Sequence, residues 1–281
     1  MRWQLKKSLS TPKDYILGVS AKAEYQLGIL NDLYLQRFLS AAVSLLPKSI
    51  SKVLELGCGS GHLLSALLPY LENTHIYATD VSKERLTECK LRLGETGSNT
   101  LDFTTLSITD TDFEICHDQD LILVRFVITH MKNAQAILER IVKAMKPGAK
   151  LFIEEFCVQN EFIARGETFG YYEWPRAHEF QEKLQHSHFD VGMDLLAALK
   201  KNSRFSIDLA QINQPILDSE YRKSIIRLGM QDCSQELLSH HFGKEKLAQI
   251  FTSLEMFERD AFSFGLAPRS VCIFGTIRDE K

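Results

Sequence analysis

The sequence predicts an α/β fold with a doubly wound, mostly parallel, seven-stranded sheet, and three observations support this. Strand patterns and helix patterns alternate between residues 51 and 156, as in sheets whose parallel strands are joined by crossover helices. The strand patterns are short and apolar, as expected for strands that helices cover on both faces. A length of 281 residues is enough for roughly one or two domains of about 150 residues, and we assign the chain to a single domain.

The first element is one long helix or two short ones, followed by the alternating core. Apolar residues recur at helical spacing from Ala21 to about Leu46, and Pro47 ends the run. Residues 1–50 therefore form a predicted helical cap, and residues 51–156 form the core. Its strands are expected at Lys52–Leu56, His75–Thr79, Leu101–Leu106, Leu121–Val124 and Lys150–Phe156, and its helices at His62–Leu71, Ser82–Leu93 and Ala134–Lys146. Ser82 and Asn133 are expected to cap two of these helices, and Pro69 to kink or shorten the first.

After Phe156 the regular alternation is lost. We expect two helical inserts, at residues 157–203 and 217–260, that lie over a substrate pocket. The last two strands of the sheet are expected within residues 204–216 and 261–281, at about Arg204–Gln211 and Ser270–Ile277.

Composition and charge exclude several classes of function. The chain carries 33 basic and 36 acidic residues, and no basic stripe points to nucleic acid or to an anionic membrane surface as a partner. No apolar run approaches the roughly 18 residues of a membrane span, and the N-terminal residues lack the apolar segment of a signal peptide. A cytoplasmic protein with six reduced cysteines is expected. The oligomeric state is not predicted.

A glycine-rich loop is the sharpest feature of the sequence. The apolar run Val53–Leu56 is followed by Gly57, Gly59 and Gly61, and a helix pattern begins at His62. Glycine permits a tight turn with positive φ and lets a ligand approach the backbone, while the helix start offers unpaired N–H groups. A dinucleotide fingerprint requires a glycine where His62 stands, and no Gly-Lys-Ser/Thr completes a phosphate-binding P-loop.

Asp80 ends the next predicted strand, 19 residues after Gly61. A carboxylate at this place can accept hydrogen bonds from both hydroxyl groups of a ribose. We therefore expect an adenosine-containing ligand to lie across the carboxyl ends of the first two strands.

These features resemble the class I S-adenosylmethionine-dependent methyltransferases, whose fold is Rossmann-like. The likeness covers roughly residues 15–156 and the final strand, and it rests on VLELGCGSG, on Asp80 and on MKPGAKLFIEE. Tyr15–Gly18, Glu24, Val124–Val127 and Phe152–Phe156 are further similar to a bacterial branch with small-molecule substrates that are unassigned.

The resemblance implies a set of cofactor-binding residues. Gly57, Gly59 and Gly61 match the loop that meets the methionyl part of the cofactor, and Glu55 matches the acidic residue that supports this loop and the amino end. Asp80 matches the ribose-binding acid, with Val81 beside it. Many family members carry an acidic residue near the adenine, where this chain has Ser107 and Ile108. Arg125 ends the fourth strand, where cofactor and substrate are expected to meet, although an ion pair with a neighbouring carboxylate is an equal alternative.

Other candidates have a structural explanation beside the functional one. His130 is a candidate base, because the reference pKa of histidine, about 6.5, suits proton transfer, although a packing role is the more common one. Tyr171, Tyr172 and Trp174 could form an aromatic wall for the acceptor or simply pack the insert. His178, His186 and His188 lack the carboxylate or cysteine partners of a metal site, so no metal is expected.

The sequence therefore predicts a methyltransferase that uses S-adenosyl-L-methionine and methylates a small molecule by in-line transfer. It does not tell which atom is methylated. The first alternative is a protein of the same fold that binds the cofactor without transferring the methyl group. The second is a nicotinamide-dependent oxidoreductase, which His62 disfavours. An Asn/Asp-Pro-Pro-Tyr/Phe motif, typical of enzymes that methylate exocyclic amines of nucleic acids, does not occur in the sequence.

Overall fold

The computed structural model describes residues 21–109, 114–157, 162–185, 190–233 and 235–279. Its strands are β1 (Lys52–Leu56), β2 (His75–Asp80), β3 (Thr100–Thr105), β4 (Leu121–Arg125), β5 (Lys150–Phe156), β6 (Ala164–Arg165), β7 (Phe205–Asn213), β8 (Ile216–Leu217), β9 (Phe264–Leu266) and β10 (Ser270–Ile277). Its helices are α1 (Ala21–Leu45), α2 (His62–Leu67), α3 (Lys83–Leu93), α4 (Ala134–Ala144), α5 (Phe169–Gln185), α6 (Val191–Lys201), α7 (Glu220–Asp232), α8 (Gln235–Phe242) and α9 (Lys244–Arg259).

Seven strands form the main sheet, in the order β3-β2-β1-β4-β5-β10-β7. The five strands from β3 to β5 run parallel, whereas β10 is antiparallel to both of its neighbours. This confirms the predicted mostly parallel, seven-stranded sheet. The chain builds β1 to β3 in one direction and then returns to place β4 on the other side of β1. A reversal of this kind opens a crevice at the carboxyl ends of the strands, where ligands bind in open α/β sheets.

The core strands are buried on both faces because helices cover the sheet on each side. One face holds Leu54 and Ile122 against α4 and α6, and the other holds Val53 and Leu123 against α1, α2 and α3. Side chains alternate between the faces of a strand, so a residue's position in a strand decides which of the two layers it meets.

Helix α1 joins the sheet to the helices above it. Its second half packs on the sheet, where the rings of Phe38 and Phe274 lie 5.2 Å apart. Its first half packs among α5, α7 and α9 through Ile29 and Tyr34. The Tyr34 hydroxyl donates to the carbonyl of Pro268 at 2.6 Å, which ties the helix to the segment before β10. The helix predicted from Ala21 to Leu46 is thereby confirmed.

The structure tests the expected ends of three helices. Ser82 caps α3 as predicted, because its hydroxyl accepts from the Arg85 N–H at 3.2 Å. Asn133 occupies the N-cap position of α4 as predicted, but its side chain makes no capping hydrogen bond; its φ of −120° and ψ of 51° lie outside the extended backbone seen at Ser82. Helix α2 ends at Leu67 and is followed by a single 3₁₀ turn that contains Pro69. Proline lacks the N–H that a continuing α-helix would need, so the predicted shortening is observed.

A second, three-stranded sheet lies outside the prediction. Its strands are only two or three residues long and run in the order β6-β9-β8. Strand β6 follows β5, β8 follows β7, and β9 precedes β10. The three segments that carry them all meet the main sheet at the edge where β5 ends. No helix in the described part of the chain is long and apolar enough to cross a membrane.

The loop after β4 is held by one buried carboxylate. Glu155, near the end of β5, accepts from the N–H groups of Val127, Ile128 and Thr129 at 2.9, 2.7 and 3.2 Å. The side chain is fully buried, and burial raises its pKa to about 8. The three N–H donors oppose this rise, because they stabilise the charged form of the carboxyl group. This carboxylate fixes the shape of the loop that faces the glycine-rich turn.

We expect Glu155→Ala to lower the free energy of unfolding by about 3 kcal/mol or more, because three N–H donors, two of them in buried hydrogen bonds, lose their acceptor. Urea denaturation measures the loss. Glu95→Ala, which removes an exposed carboxylate, serves as the control and should stay within about 0.5 kcal/mol of the parent protein. Equal stabilities of the two variants would contradict this role for Glu155.

Candidate functional site

The candidate site is the glycine loop between β1 and α2, at the carboxyl edge of the sheet. Gly57, Gly59 and Gly61 all have positive φ, at 73°, 53° and 81°. The Cys58 N–H donates to the carbonyl of Thr79 at 2.8 Å, and the Gly61 N–H donates to the carbonyl of Cys58 at 2.9 Å. The loop is therefore folded tightly onto the end of β2.

The three glycines differ in what surrounds them. A Cβ atom on Gly57 would overlap the side chain of Val127, and one on Gly61 would lie 2.6 Å from the sulfur of Cys89. Packing alone explains these two positions. A Cβ on Gly59 would meet nothing within 4 Å, so this glycine faces open space and leaves its backbone accessible to a ligand.

Asp80, at the end of β2, braces the loop. Its two carboxylate oxygens accept from the N–H of Gly59 and from the N–H of Ser82, both at 2.9 Å. The residue is only 4% exposed, and burial raises its pKa above the ordinary value, opposed by these two N–H bonds. Each oxygen has a second lone pair, so both can accept one more hydrogen bond.

Glu55, on β1, is a buried acid whose carboxylate accepts no hydrogen bond from any described residue. It is 3% exposed, and its Oε2 atom is buried without a partner. Burial raises its pKa well above the ordinary value, the positive charge of Arg125 lowers it, and the charge of Asp80 raises it. A buried polar atom with no partner is costly, so this oxygen is suited to a cation or a donor that comes from a ligand.

Arg125, at the end of β4, takes part in a buried ion pair. Its Nε donates to Glu154 at 2.5 Å, and its Nη1 donates to the side-chain oxygen of Asn31 on α1 at 2.7 Å. The guanidinium carbon lies 4.9 Å from the ring centre of Phe126. The alternative of an ion pair is thus present in the structure, and a role in cofactor binding stays a prediction.

The remaining predicted cofactor residues follow β2 and β3. Val81 is partly exposed beside Asp80. The Leu106 N–H donates to the carbonyl of Asp80 at 2.9 Å, which brings the segment after β3 next to the ribose-binding candidate. Ser107 is partly exposed, and its hydroxyl contacts that of Thr109 at 2.7 Å. Ile108 is buried and packs against the core cluster that covers one face of the sheet.

His130 ends the short 3₁₀ turn that Glu155 holds. Burial lowers its pKa to about 4. The imidazole is therefore neutral at pH 7, and the burial that keeps it neutral also makes it a weak proton acceptor. Its role as a base stays a prediction.

The three aromatic candidates on α5 divide into two groups. Tyr171 and Trp174 are buried, and the Tyr171 hydroxyl donates to the carbonyl of Leu266 at 2.6 Å. Tyr172 is 44% exposed, and its hydroxyl accepts from the Ala164 N–H at 3.1 Å. These contacts pack α5 against the three-stranded sheet. The aromatic wall stays a prediction, and in this structure only Tyr172 offers it a substantial exposed surface.

Three residues of the site lie in motifs quoted from the sequence but were given no role there. Glu154 and Glu155 hold Arg125 and the following loop, and Phe126 has a φ of 55°, which is uncommon for a residue with a bulky side chain. The two acids could have been noticed, because a pair of carboxylates at the end of an apolar strand needs buried partners. The histidines at 186 and 188, and Tyr15–Gly18, lie outside the described residues.

A family model for a methyltransferase domain matches residues 54–151. The matched segment runs from within β1 to the start of β5, so it contains the glycine loop, Asp80 and Arg125. Glu154 and Glu155 lie just beyond it.

Two curated relatives cover a similar segment. The chain is 28% identical over 105 residues to a probable (S)-tetrahydroprotoberberine N-methyltransferase 2 of Papaver bracteatum, which is 37% of this chain and 29% of that protein. It is 30% identical over 107 residues to the ubiquinone biosynthesis O-methyltransferase of Xylella fastidiosa (strain 9a5c), which is 38% of this chain and 42% of that one. The alignments thus span less than half of either relative.

Solved structures extend the likeness to most of the chain. A loganic acid methyltransferase with S-adenosylhomocysteine superposes with a TM-score of 0.58 at 11% identity, and covers 96% of this chain and 99% of that one. At this identity the match shows the fold. The fold, the domain match and the glycine loop agree with one another.

We expect His130 to make the folded protein less stable in acid. Its pKa is about 4 when folded and about 6.5 when unfolded. The unfolded chain therefore binds more protons between these values, and the free energy of unfolding falls as the pH drops from 6.5 to 4, by up to about 3 kcal/mol. Urea denaturation at several pH values measures this slope. His130→Asn should flatten it, and an unchanged slope in that variant would contradict the assignment.

Proposed function

We propose, on the premise that this chain carries a class I S-adenosylmethionine-dependent methyltransferase domain, that it binds S-adenosyl-L-methionine at the glycine loop and methylates a small molecule. The observation that carries the proposal is the open side of Gly59, whose N–H the buried carboxylate of Asp80 holds, together with the unpartnered oxygen of the buried Glu55 on the strand that leads into the loop. The open side of this loop lets a ligand approach the backbone, and both acids retain capacity for further hydrogen bonds.

The residues present fit the cofactor. The unpaired Oε2 of Glu55 is suited to the cofactor's ammonium group, and the remaining lone pairs of Asp80 to the ribose hydroxyls. Val81, Ser107 and Ile108 continue from this point along the edge of the sheet and would meet the adenine. Because Ser107 is neutral, it would contribute a hydrogen bond and no ionic contact.

S-Adenosyl-L-methionine supplies a methyl group on a sulfonium, which is already activated for in-line attack by an O, N, S or C nucleophile. The protein therefore needs mainly to position the two reactants and to exclude water. The loop braced by Asp80 and the Glu155-held turn provide rigid surfaces for this purpose. Where the nucleophile requires a base, His130 is the candidate that the sequence offers, and its pKa of about 4 makes it a weak one.

The acceptor is proposed to be a small molecule and not a nucleic acid. The near balance of 33 basic and 36 acidic residues gives no electrostatic footprint for a phosphate backbone. The two relatives are named as an N- and an O-methyltransferase, so neither atom is preferred. We further propose that the chain is one domain that acts in the cytoplasm, with residues 1–50, 157–203 and 217–260 covering the acceptor.

Calorimetric titration with S-adenosylhomocysteine tests cofactor binding. Asp80→Asn should weaken the affinity at least about tenfold, because a charged acceptor of two ribose hydrogen bonds becomes a neutral amide. Asp102→Asn is the matched control, since Asp102 lies on the neighbouring strand β3 and pairs with His75 away from the glycine loop. A folded Asp80→Asn protein with unchanged affinity would contradict the site.

The same variants test methyl transfer. The protein is incubated with S-adenosyl-L-methionine and a panel of small amines, phenols, carboxylic acids and thiols, and release of S-adenosylhomocysteine is followed. Acceptor-dependent release that Asp80→Asn reduces and Asp102→Asn retains is expected. Tight cofactor binding with no release for any acceptor would favour the alternative of a binding protein without transferase activity.

A pair of glycine variants tests whether the open side of Gly59 is the binding surface. Gly59 and Gly97 both have positive φ, at 53° and 62°, and neither would place a Cβ within 4 Å of another atom. Alanine at either position costs about 1–2 kcal/mol of backbone strain. We expect both variants to lose similar stability in urea, whereas only Gly59→Ala weakens binding of S-adenosylhomocysteine, by about tenfold or more. Equal affinity of the two variants for S-adenosylhomocysteine would contradict a binding surface at Gly59.

A further inference from the structure

We propose that the protein binds a second copy of itself through the outer face of the three-stranded sheet, and that a two-fold axis parallel to β9 relates the two copies. The outer face is the side of this sheet that lies opposite α5. It is formed by Ile163, Arg165, Ile216, Phe264 and Leu266. The proposed interface does not involve the glycine loop and goes beyond the proposed function.

The inner face of the three-stranded sheet packs against α5 and is built partly from small residues. Ala164 and Gly265 pair across β6 and β9, and a Cβ atom on Gly265 would lie 2.8 Å from the ring of Tyr171. Leu217, on β8, is fully buried in the same apolar cluster as Ala164 and Tyr171. Because side chains alternate between the faces of a strand, the neighbours of these residues lie on the outer face.

The outer face is apolar, although an antiparallel sheet with one covered face usually carries polar side chains on the other. Ile163, Leu266 and Ile216 form one row across the three strands, because the Leu266 N–H donates to the Ile163 carbonyl at 2.9 Å and Leu266 pairs with Ile216. Phe264 lies in the next row. Ile163, Ile216 and Phe264 are 52%, 51% and 44% exposed. Contiguous exposed apolar side chains of this kind mark an interaction surface.

Phe262 extends this apolar surface beyond the start of β9. Its side chain is 91% exposed. Its N–H donates to the carboxylate of Asp260 at 2.9 Å, and the Ser263 hydroxyl donates to the same carboxylate at 2.6 Å. Hydrogen bonds therefore fix the turn that presents the ring to solvent. Burial of this ring by a partner would be favourable, because it removes apolar surface from water.

Two charged residues lie on opposite sides of Phe264. Arg165 is the direct partner of Phe264 across β6 and β9. Asp218 follows β8 and comes one residue beyond the last pair between β8 and β9, which places it on the other side of Phe264. The second row of the outer face thus has a basic end and an acidic end.

Both ends of this row keep a net charge. Among the described residues, no carboxylate lies within 4.0 Å of the Arg165 guanidinium, whose printed contact is with the carbonyl of Ala164 at 3.3 Å. Arg222 is shared by Asp218 and Asp32, at 3.2 and 2.6 Å. Two acids and one base leave a net charge of about −1 at this end. The outer face is therefore complementary in charge to another copy of itself.

The positions of these charges select the symmetry of the pair. With a two-fold axis parallel to β9, the β6 side of one copy lies over the β8 side of the other, so Arg165 faces Asp218 of the partner subunit, and this contact occurs twice. With an axis across the strands, Arg165 would instead face Arg165 of the partner subunit. The first arrangement also keeps the strands of the two sheets aligned, as is common when sheets pack face to face.

The charges favour a second copy over a membrane surface as the occupant. Protein surfaces that bind anionic lipids carry an excess of lysine and arginine. Around the outer face the bases are Arg165 and Arg222, and the acids are Asp32, Asp218 and Asp260. The described residues thus provide no positive excess, whereas the second copy matches both the apolar rows and the two charged ends.

Sedimentation velocity over a range of protein concentrations measures the association, and the parent protein should be a dimer at about 10 μM. Phe264→Asp should raise the dissociation constant of the dimer at least about a hundredfold, because each dimer loses two buried rings and gains two buried charges. Phe262→Asp, which replaces an almost fully exposed ring, should raise it at least about tenfold. Leu91→Asp alters a 78% exposed side chain on α3 and is the control that should leave the constant unchanged.

Charge reversal tests the two-fold arrangement. Arg165→Asp and Asp218→Arg should each raise the dissociation constant about tenfold, because each makes two attractive contacts per dimer repulsive. The double variant restores attraction in both contacts and should return to within about threefold of the parent. A merely structural role of either residue would not be rescued in this way. Circular dichroism and urea denaturation verify that each variant is folded.

A parent protein that stays monomeric at about 0.1 mM overturns the proposal, as does a dimer that neither Phe264→Asp nor Phe262→Asp weakens. A double charge variant that associates no better than the single variants overturns the assigned two-fold axis. The parent protein is also mixed with phosphatidylcholine vesicles. Flotation with the vesicles that Phe262→Asp abolishes, without association of the protein in solution, would assign the outer face to a membrane and overturn the proposal. None of these measurements depends on cofactor binding.

Discussion

Two adjacent carboxylates at the end of β5 hold the part of the molecule on which the site depends. Because neighbouring residues of a strand point to opposite faces, Glu154 orients Arg125 in one layer and Glu155 holds the turn at Val127–Thr129 in the other. Val127 in turn fills the space beside Gly57. Loss of either acid would leave buried donors or a buried cation without a partner, which costs several kcal/mol.

The polar groups of the site gather at one edge because parallel strands end there together. Apolar side chains occupy the middle of each strand, and Glu55, Asp80, Arg125 and Glu154 stand at or near the carboxyl ends. The same edge carries the segments that lead into the three-stranded sheet, and α1 reaches it through Asn31 and Tyr34. A ligand bound at this edge would therefore lie near elements from both halves of the chain.

Much of the fold could be predicted because its strands are locally encoded. Lys52–Leu56, Lys150–Phe156 and Ser270–Ile277 have the predicted bounds, since each is an apolar run that a turn residue or a change of pattern ends. Helix α5 was expected only as part of an insert, because Pro175 and several aromatic residues interrupt its periodicity. The glycine loop and Asp80 were recognisable from spacing, but the partner of Arg125 depends on the register between β4 and β5, which no local pattern encodes.

A crystal structure of the protein with S-adenosylhomocysteine tests the central claim most directly. The account predicts that the ribose hydroxyls lie on Asp80, that the backbone of Gly59 faces the ligand, and that the amino-acid end reaches Glu55. A ligand bound elsewhere, or a side chain of the protein occupying the open side of Gly59 while the ligand is absent, would contradict it.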